Sequence, residues 1–172
     1  RGCRRGRRAK GRPRPDAVLG VRILAVGVDR AGPFRELVED YRTRFDRVGR
    51  PLGLGPLQVD EVEARVATPA AQGALLRASL PRGAAVVALD ERGEAASSPD
   101  LARRLDRWRG ERPQACFLIG GADGLDPGLV AAADWRLSFG PMVWPHLLAR
   151  VMLAEQLYRA ATILAGTPYH RP

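Results

Sequence analysis

The segment ACFLIGGADG, residues 115–124, decides the fold more than any other part of the chain. Five consecutive apolar residues, Ala115–Ile119, are typical of a strand buried on both faces, and Gly120-Gly121 ends it. Asp126-Pro127 then opens a helix, because an Asp cap followed by proline suits a first turn. An apolar strand followed at once by a helix predicts a mostly parallel sheet with helices on both faces.

The same alternation continues outward from this segment in both directions. Further helices are predicted to open at Pro33, Thr68-Pro69, Ser98-Pro99 and Pro145, the last running to Leu164. Asp90–Gly93 is interpreted as the turn that ends one of the strands. The other predicted strands are Val21–Gly27, Leu57–Val62, Ala84–Leu89 and Leu137–Phe139. A chain of 172 residues with this pattern fits one α/β domain.

The charge is concentrated at the amino end. Of the formal net charge of +9, residues 1–20 carry +7, and the only lysine, Lys10, lies there. Such a charge run is usually disordered, although it could bind RNA without sequence preference. We expect residues 1–20 to be a basic, disordered extension that is dispensable for function, and residues 21–172 to form the domain.

The rest of the composition excludes several classes of protein. The two cysteines, Cys3 and Cys116, cannot form a disulfide framework and show no metal-ligand spacing, so no metal is expected. Cys116 lies in an apolar run and is interpreted as a core residue. No apolar run reaches the roughly 18 residues of a membrane helix, and no apolar segment follows the basic amino end as in a secretory signal. We therefore expect a cytoplasmic protein without a membrane partner.

Three segments carry the candidate chemistry. Gly120–Gly124 is either a simple turn or a close approach to a ligand, and it matches no dinucleotide or triphosphate motif. The loop 138–146 holds Phe, Met, Val and Trp, so it is either packed on the core or covered by a ligand or partner subunit. The ending Tyr169-His170-Arg171 could stack on a base, exchange a proton and bind phosphate, or be an ordinary polar tail.

Together these segments resemble one known family. FLIGGADG at 117–124, LSF at 137–139 followed by PH at 145–146, EQ and YRA within 155–160, and YHR at 169–171 match its motifs in order and spacing. The strand ILAVG at 23–27 matches its first strand. The chain is similar to the ribosomal RNA large subunit methyltransferase H family, within the SPOUT class.

The resemblance implies a fold and an activity. The fold would be a SPOUT α/β domain with a C-terminal trefoil knot, and the enzyme a homodimer. It would use S-adenosylmethionine to methylate N3 of a pseudouridine in helix 69 of 23S rRNA on the assembled ribosome. By the same resemblance, the catalytic residues, from the partner chain's tail, would be Tyr169, His170 and Arg171. The cofactor-binding residues would be Leu89, Gly120, Phe139, Gly140, Pro141, Met142, Val143 and Trp144.

Two other functions remain compatible with the sequence. One is a SPOUT methyltransferase that acts on a different RNA, such as tRNA. The other is a non-catalytic RNA-binding module, which would bind RNA through residues 1–20 without binding S-adenosylmethionine.

Overall fold

A computed structural model describes residues 17–171. The predicted basic extension therefore lies largely outside the described residues, as does Pro172. The strands are β1 Leu19–Val26, β2 Leu54–Val62, β3 Ala85–Ala95, β4 Gln114–Ile119 and β5 Trp135–Ser138. The helices are α1 Pro33–Gly49, α2 Pro69–Ala78, α3 Ser98–Glu111, α4 Pro127–Ala132 and α5 His146–Leu164.

The five strands form one sheet in the order β2-β1-β4-β3-β5, and every neighbouring pair is parallel. The strand that opens the sequence analysis, β4, is the central one. It pairs on one side with β1 through Leu118 and Leu24, and on the other with β3 through Phe117 and Val87. The predicted α/β class with a parallel sheet in a single domain is confirmed.

Alternate residues of β4 face opposite layers of helices, as the period of a strand requires. Phe117 belongs to a large buried cluster shared with α1, α3 and α5. Cys116 and Leu118 belong to a smaller cluster shared with α2 and α4. Cys116 is fully buried, as predicted, and burial raises the pKa of its thiol to about 11.

Several predicted element boundaries were wrong. β2 begins at Leu54 rather than Leu57, and β5 spans Trp135–Ser138 rather than Leu137–Phe139. β1 begins at Leu19, two residues before the predicted start at Val21, and Leu19 is fully buried. Asp90–Gly93 does not end β3: Leu89 and Glu94 both pair with Leu137 of β5, so the four residues between them bulge out of the pairing. Gly93 permits the bulge because a side chain there would lie 2.7 Å from the carbonyl oxygen of Arg136.

The trefoil knot stays a prediction of the resemblance. Within residues 17–171, no helix combines the length and the apolar character needed to cross a membrane.

Replacing a leucine in the smaller buried cluster tests this layer structure. Leu118→Ala should lower the free energy of unfolding by about 3 kcal/mol or more, because Leu118 is fully buried in the central strand. The matched control is Leu75→Ala, at a side chain of α2 that is 39% exposed, and it should cost less than about 1 kcal/mol. Urea denaturation would measure both; equal losses would contradict the assignment of Leu118 to the core.

Candidate functional site

The carboxyl ends of β4, β3 and β5 lie side by side at one edge of the sheet. Ala88 pairs with Leu118 and Leu89 pairs with Leu137. Gly120 and the loop that starts at Phe139 therefore follow β4 and β5, and Leu89 lies beside them within β3, just before its bulge. In parallel sheets, ligands bind at this edge. The structure thus brings the predicted residues Leu89, Gly120 and Phe139 to one edge of the sheet.

Gly120 is required by the turn that follows β4. A side chain at Gly120 would lie 2.3 Å from the carbonyl carbon of Gly124 and 2.6 Å from the nitrogen of Leu125. The turn closes when Gly124 N donates to Gly121 O at 3.0 Å, and Gly124 has φ +79°. The turn interpretation of this glycine run is therefore correct, and it leaves the backbone of Gly124 open, since a side chain there would meet no described atom within 4 Å.

The loop after β5 is held at its start and open beyond it. Ser138 Oγ accepts from Gly140 N at 3.0 Å and lies 3.1 Å from the carbonyl oxygen of Glu91 in the β3 bulge. Beyond Gly140, which has φ +100°, three apolar side chains face solvent: Met142 is 65% exposed, Val143 80% and Trp144 37%. The alternative in which these side chains pack on the core is wrong for this chain.

The far end of the same loop is fixed by Arg150, on the second turn of α5. Its guanidinium donates to Glu61 Oε1 at 2.5 Å and to the carbonyl oxygens of Val26 and Gly27 at 2.8 and 2.6 Å. Glu61 Oε1 also accepts from Asp29 N at 2.9 Å. Arg150 is only 2% exposed, so its guanidinium is accessible neither to RNA nor to a partner chain.

A pocket of about 590 Å³ lies between the ends of β3 and β5, the start of α3 and the middle of α5. Of the predicted cofactor residues, Phe139 and Gly140 line it, whereas Leu89, Gly120 and residues 141–144 do not. Its apolar walls include Leu101, Leu137, Val151 and Met152, and its polar lining includes Tyr41, Ser97, Ser98, Glu155 and Gln156. The pocket therefore adjoins the predicted cofactor loops and extends away from them.

Sequence reasoning did not find the polar lining of this pocket. The helix cap is Ser97, in a capping box with Asp100, rather than Ser98. This leaves the Ser98 hydroxyl free to donate to Gln156 Oε1 at 2.6 Å, 58 residues along the chain. The two serines before Pro99 could have indicated this contact, because only one of them can cap the helix and the other keeps a free hydroxyl.

Tyr169 anchors the C-terminal tail on α5 of its own chain. Its hydroxyl donates to Glu155 Oε1 at 2.9 Å, and its ring lies 4.6 Å from the ring of Tyr158 and 4.8 Å from the Arg159 guanidinium. Glu155 also accepts from Arg159, so the predicted i,i+4 pair is present. Desolvation raises the pKa of Tyr169, and the hydrogen bond to Glu155 raises it further.

The two tail residues after Tyr169 differ in their surroundings. His170 is half-buried, and its Nδ1 atom has no hydrogen-bond partner among residues 17–171. Arg171 is exposed. In the part of the chain that the structure describes, no group of three or more His, Cys, Asp or Glu residues could hold a metal ion.

The model of the predicted SPOUT methyltransferase family matches residues 19–170, which is almost the whole described chain. The chain belongs to the SPOUT methyltransferase family. Within this family it groups with proteins named ribosomal RNA large subunit methyltransferase H. It is 61% identical to the one from Ruegeria pomeroyi and 63% identical to that from Dinoroseobacter shibae, in both cases over 89% of this chain and 99% of the relative.

A further relative and one solved structure are also similar to this chain. The methyltransferase H of Paracoccus denitrificans is 55% identical over 87% of this chain and 97% of its own. A solved structure of a probable methylase family protein from Haemophilus influenzae Rd KW20 aligns with a TM-score of 0.49 and 11% identity, covering 90% of this chain and 71% of that one. The family assignment rests on the sequence comparisons.

The Tyr169 contact predicts a pH dependence of stability. In the unfolded chain a tyrosine ionises near pH 10, whereas the folded chain keeps the Tyr169 phenol protonated to higher pH. Its contribution to stability is therefore complete below about pH 10 and is lost as the pH rises from there through the raised pKa. The free energy of unfolding, measured by urea denaturation, should fall less between pH 9 and pH 11 for Tyr169→Phe than for the wild type. An equal fall would show that Tyr169 does not cause this pH dependence.

Proposed function

We propose that the protein transfers a methyl group from S-adenosylmethionine to N3 of a pseudouridine in helix 69 of 23S rRNA, on the assembled ribosome. The observation that carries this proposal is the match over nearly the whole chain to relatives named for the large-subunit RNA. The same loops that carry the family's motifs meet at the carboxyl edge of the sheet. A ribosomal substrate also agrees with the cytoplasmic location expected from the sequence.

The residues at this edge fit S-adenosylmethionine. Side chains added at Gly124 and Gly140 would meet no described atom within 4 Å, so a ligand can approach the backbone there, and three exposed apolar side chains follow Gly140. Backbone groups at Leu89, Gly120 and residues 139–144 would hold the cofactor, with an apolar cover over its adenine. When bound, the cofactor supplies an electrophilic methyl group: the bond from its carbon to sulfur breaks, the electron pair stays on sulfur, and a new bond joins that carbon to N3.

The protein has to align the base and remove one proton. An imide nitrogen is a poor nucleophile while it carries hydrogen, so the N3 proton leaves at or before methyl transfer. His170 is the proton acceptor in this proposal. Arg171 stabilises the negative charge that develops on the uracil oxygens, and Tyr169 positions the tail through Glu155.

We further propose that two copies assemble and that each tail completes the partner's site. The exposed apolar side chains of the loop 142–144, together with Phe34 and Leu37 of α1, are surfaces that a second copy would cover. In this proposal the residues that reach the partner's site are His170 and Arg171, which follow the Tyr169 anchor on α5. Residues 1–16 precede the fold and are not needed for this arrangement.

Methyl transfer to ribosomes tests the function. The purified protein, full-length and without residues 1–16, should label ribosomes that lack this methylation when given radiolabelled S-adenosylmethionine. Fragment mapping by mass spectrometry should place the label on a helix 69 pseudouridine for both forms, since β1 begins only at Leu19. Cofactor binding with label on tRNA alone would assign another RNA substrate, and RNA binding without cofactor binding would make the protein a non-catalytic module.

Subunit mixing tests whether the tail acts on the partner. His170→Ala should abolish the chemical step in single-turnover assays, and Gly140→Val should disable the cofactor loop because of its φ of +100°. If the tail acts on the partner, co-refolded mixtures of the two inactive variants should recover about a quarter of the wild-type rate, since half of random dimers carry one intact composite site. No recovery in a mixture shown to contain heterodimers would place the tail in its own chain's site.

A further inference from the structure

The side-chain amide of Gln156 has a fixed orientation in the pocket. The Ser98 hydroxyl donates to Oε1 at 2.6 Å, and Nε2 donates to Glu155 Oε2 at 2.8 Å. Glu155 accepts in its ionised form, so the nitrogen of the amide must face it, and the hydroxyl must then face the oxygen. The pair of contacts therefore selects one of the two amide rotamers.

Both oxygens of the Glu155 carboxylate accept hydrogen bonds from neighbouring residues of the chain. Its Oε1 accepts from Arg159 Nε at 3.0 Å, from Arg159 Nη2 at 2.6 Å and from the Tyr169 hydroxyl at 2.9 Å. Gln156 Nε2 donates to the other oxygen, so the carboxylate accepts four hydrogen bonds in all. It also forms an ion pair with Arg159. Glu155 thus positions both Gln156 and, through Tyr169, the tail.

Gln156 retains one donor and one acceptor for a ligand. After its contacts with Ser98 and Glu155, one hydrogen on Nε2 and one lone pair on Oε1 remain. Gln156 lines the pocket together with apolar side chains that include Leu101, Leu137 and Val151. A flat ring with an N–H next to a C=O would fit between these side chains and form two hydrogen bonds to the amide.

We infer that this pocket binds the target pseudouridine and that Gln156 recognises its N1–H and O2. The inference rests on the proposed function. Pseudouridine is attached to ribose through carbon, so its N1 keeps a hydrogen, whereas N1 of uridine is the glycosidic nitrogen and has none. Holding the N1–H and O2 leaves N3, on the other side of O2, free to face the cofactor loop at Phe139 and Gly140, which the pocket shares.

Gln156 is thus a specificity-determining residue. Uridine could pair with the amide only through N3–H and a neighbouring carbonyl, which would occupy the nitrogen that must be methylated. A site built around such a hydrogen bond rejects an analogue that cannot form it, because its own polar group is then left unpaired. We expect the wild type to prefer pseudouridine over uridine by about tenfold or more in kcat/KM.

The test compares two preparations of unmethylated ribosomes, one with pseudouridine and one with uridine at the target position. Gln156→Leu keeps the approximate size of the side chain and should reduce the rate on pseudouridine to near that on uridine, while the dissociation constant for S-adenosylmethionine stays unchanged. Ser98→Ala, which removes one of the two contacts that orient the amide, should give an intermediate preference. The matched control is Gln58→Leu, at an exposed position on the opposite edge strand β2, which should keep the wild-type preference.

The outcomes separate this inference from the function on which it rests. If the wild type labels neither ribosome, the proposed function fails and the inference fails with it. If the wild type labels pseudouridine and Gln156→Leu keeps the same preference, only the inference is overturned. An equal loss on both substrates would also overturn it, and would indicate that the pocket receives another group, such as the partner's tail.

Discussion

The buried guanidinium of Arg150 is the interaction on which the arrangement of this edge of the sheet depends. It joins the long last helix to the ends of the first two strands, through Glu61, 89 residues earlier, and the carbonyl oxygens of Val26 and Gly27, 124 and 123 residues earlier. An unpaired buried charge costs several kcal/mol, so the guanidinium and its partners must come together for the chain to fold. The loop that precedes α5 is therefore held at both ends, by Arg150 on one side and by Ser138 on the other.

The candidate site at this edge has two parts, a loop and a pocket. The loop between Phe139 and Pro145 has a fixed start, a fixed end and an exposed apolar middle, whereas the pocket beside it is lined by α3 and α5. Glu155 connects the pocket to the tail, because the same carboxylate accepts from Gln156, Arg159 and Tyr169. The pocket and the tail thus share one side chain.

The sequence predicted the elements of the fold because each one follows a local rule. The apolar run before Gly120 could only be a buried strand, and proline after a capping residue marked the starts of α2 and α4. The bulge at Asp90–Gly93 was missed, since its residues are those of a turn and only the pairing with β5 distinguishes the two.

The candidate site was predictable in its loops and not in its contacts. The motifs located Gly120, residues 139–144 and the tail, but the partners of Arg150 and Gln156 depend on approaches across 89 and 58 residues that no local pattern encodes. Arginines are mostly exposed, so the residue type of Arg150 gave no signal that it is buried. Its burial is a property of the tertiary fold, where two strand ends supply the acceptors.

The bulge in β3 has a consequence for how this enzyme family can vary. Strand pairing with β5 resumes at Glu94 on the same residue, Leu137, where it stopped at Leu89, so the intervening segment contributes nothing to register. A change of length between Leu89 and Glu94 would therefore leave the pairing of β3 with β5 in the same register. The same segment supplies the Glu91 carbonyl oxygen that accepts from Ser138, so its length can vary only if that contact with the start of the neighbouring loop is kept.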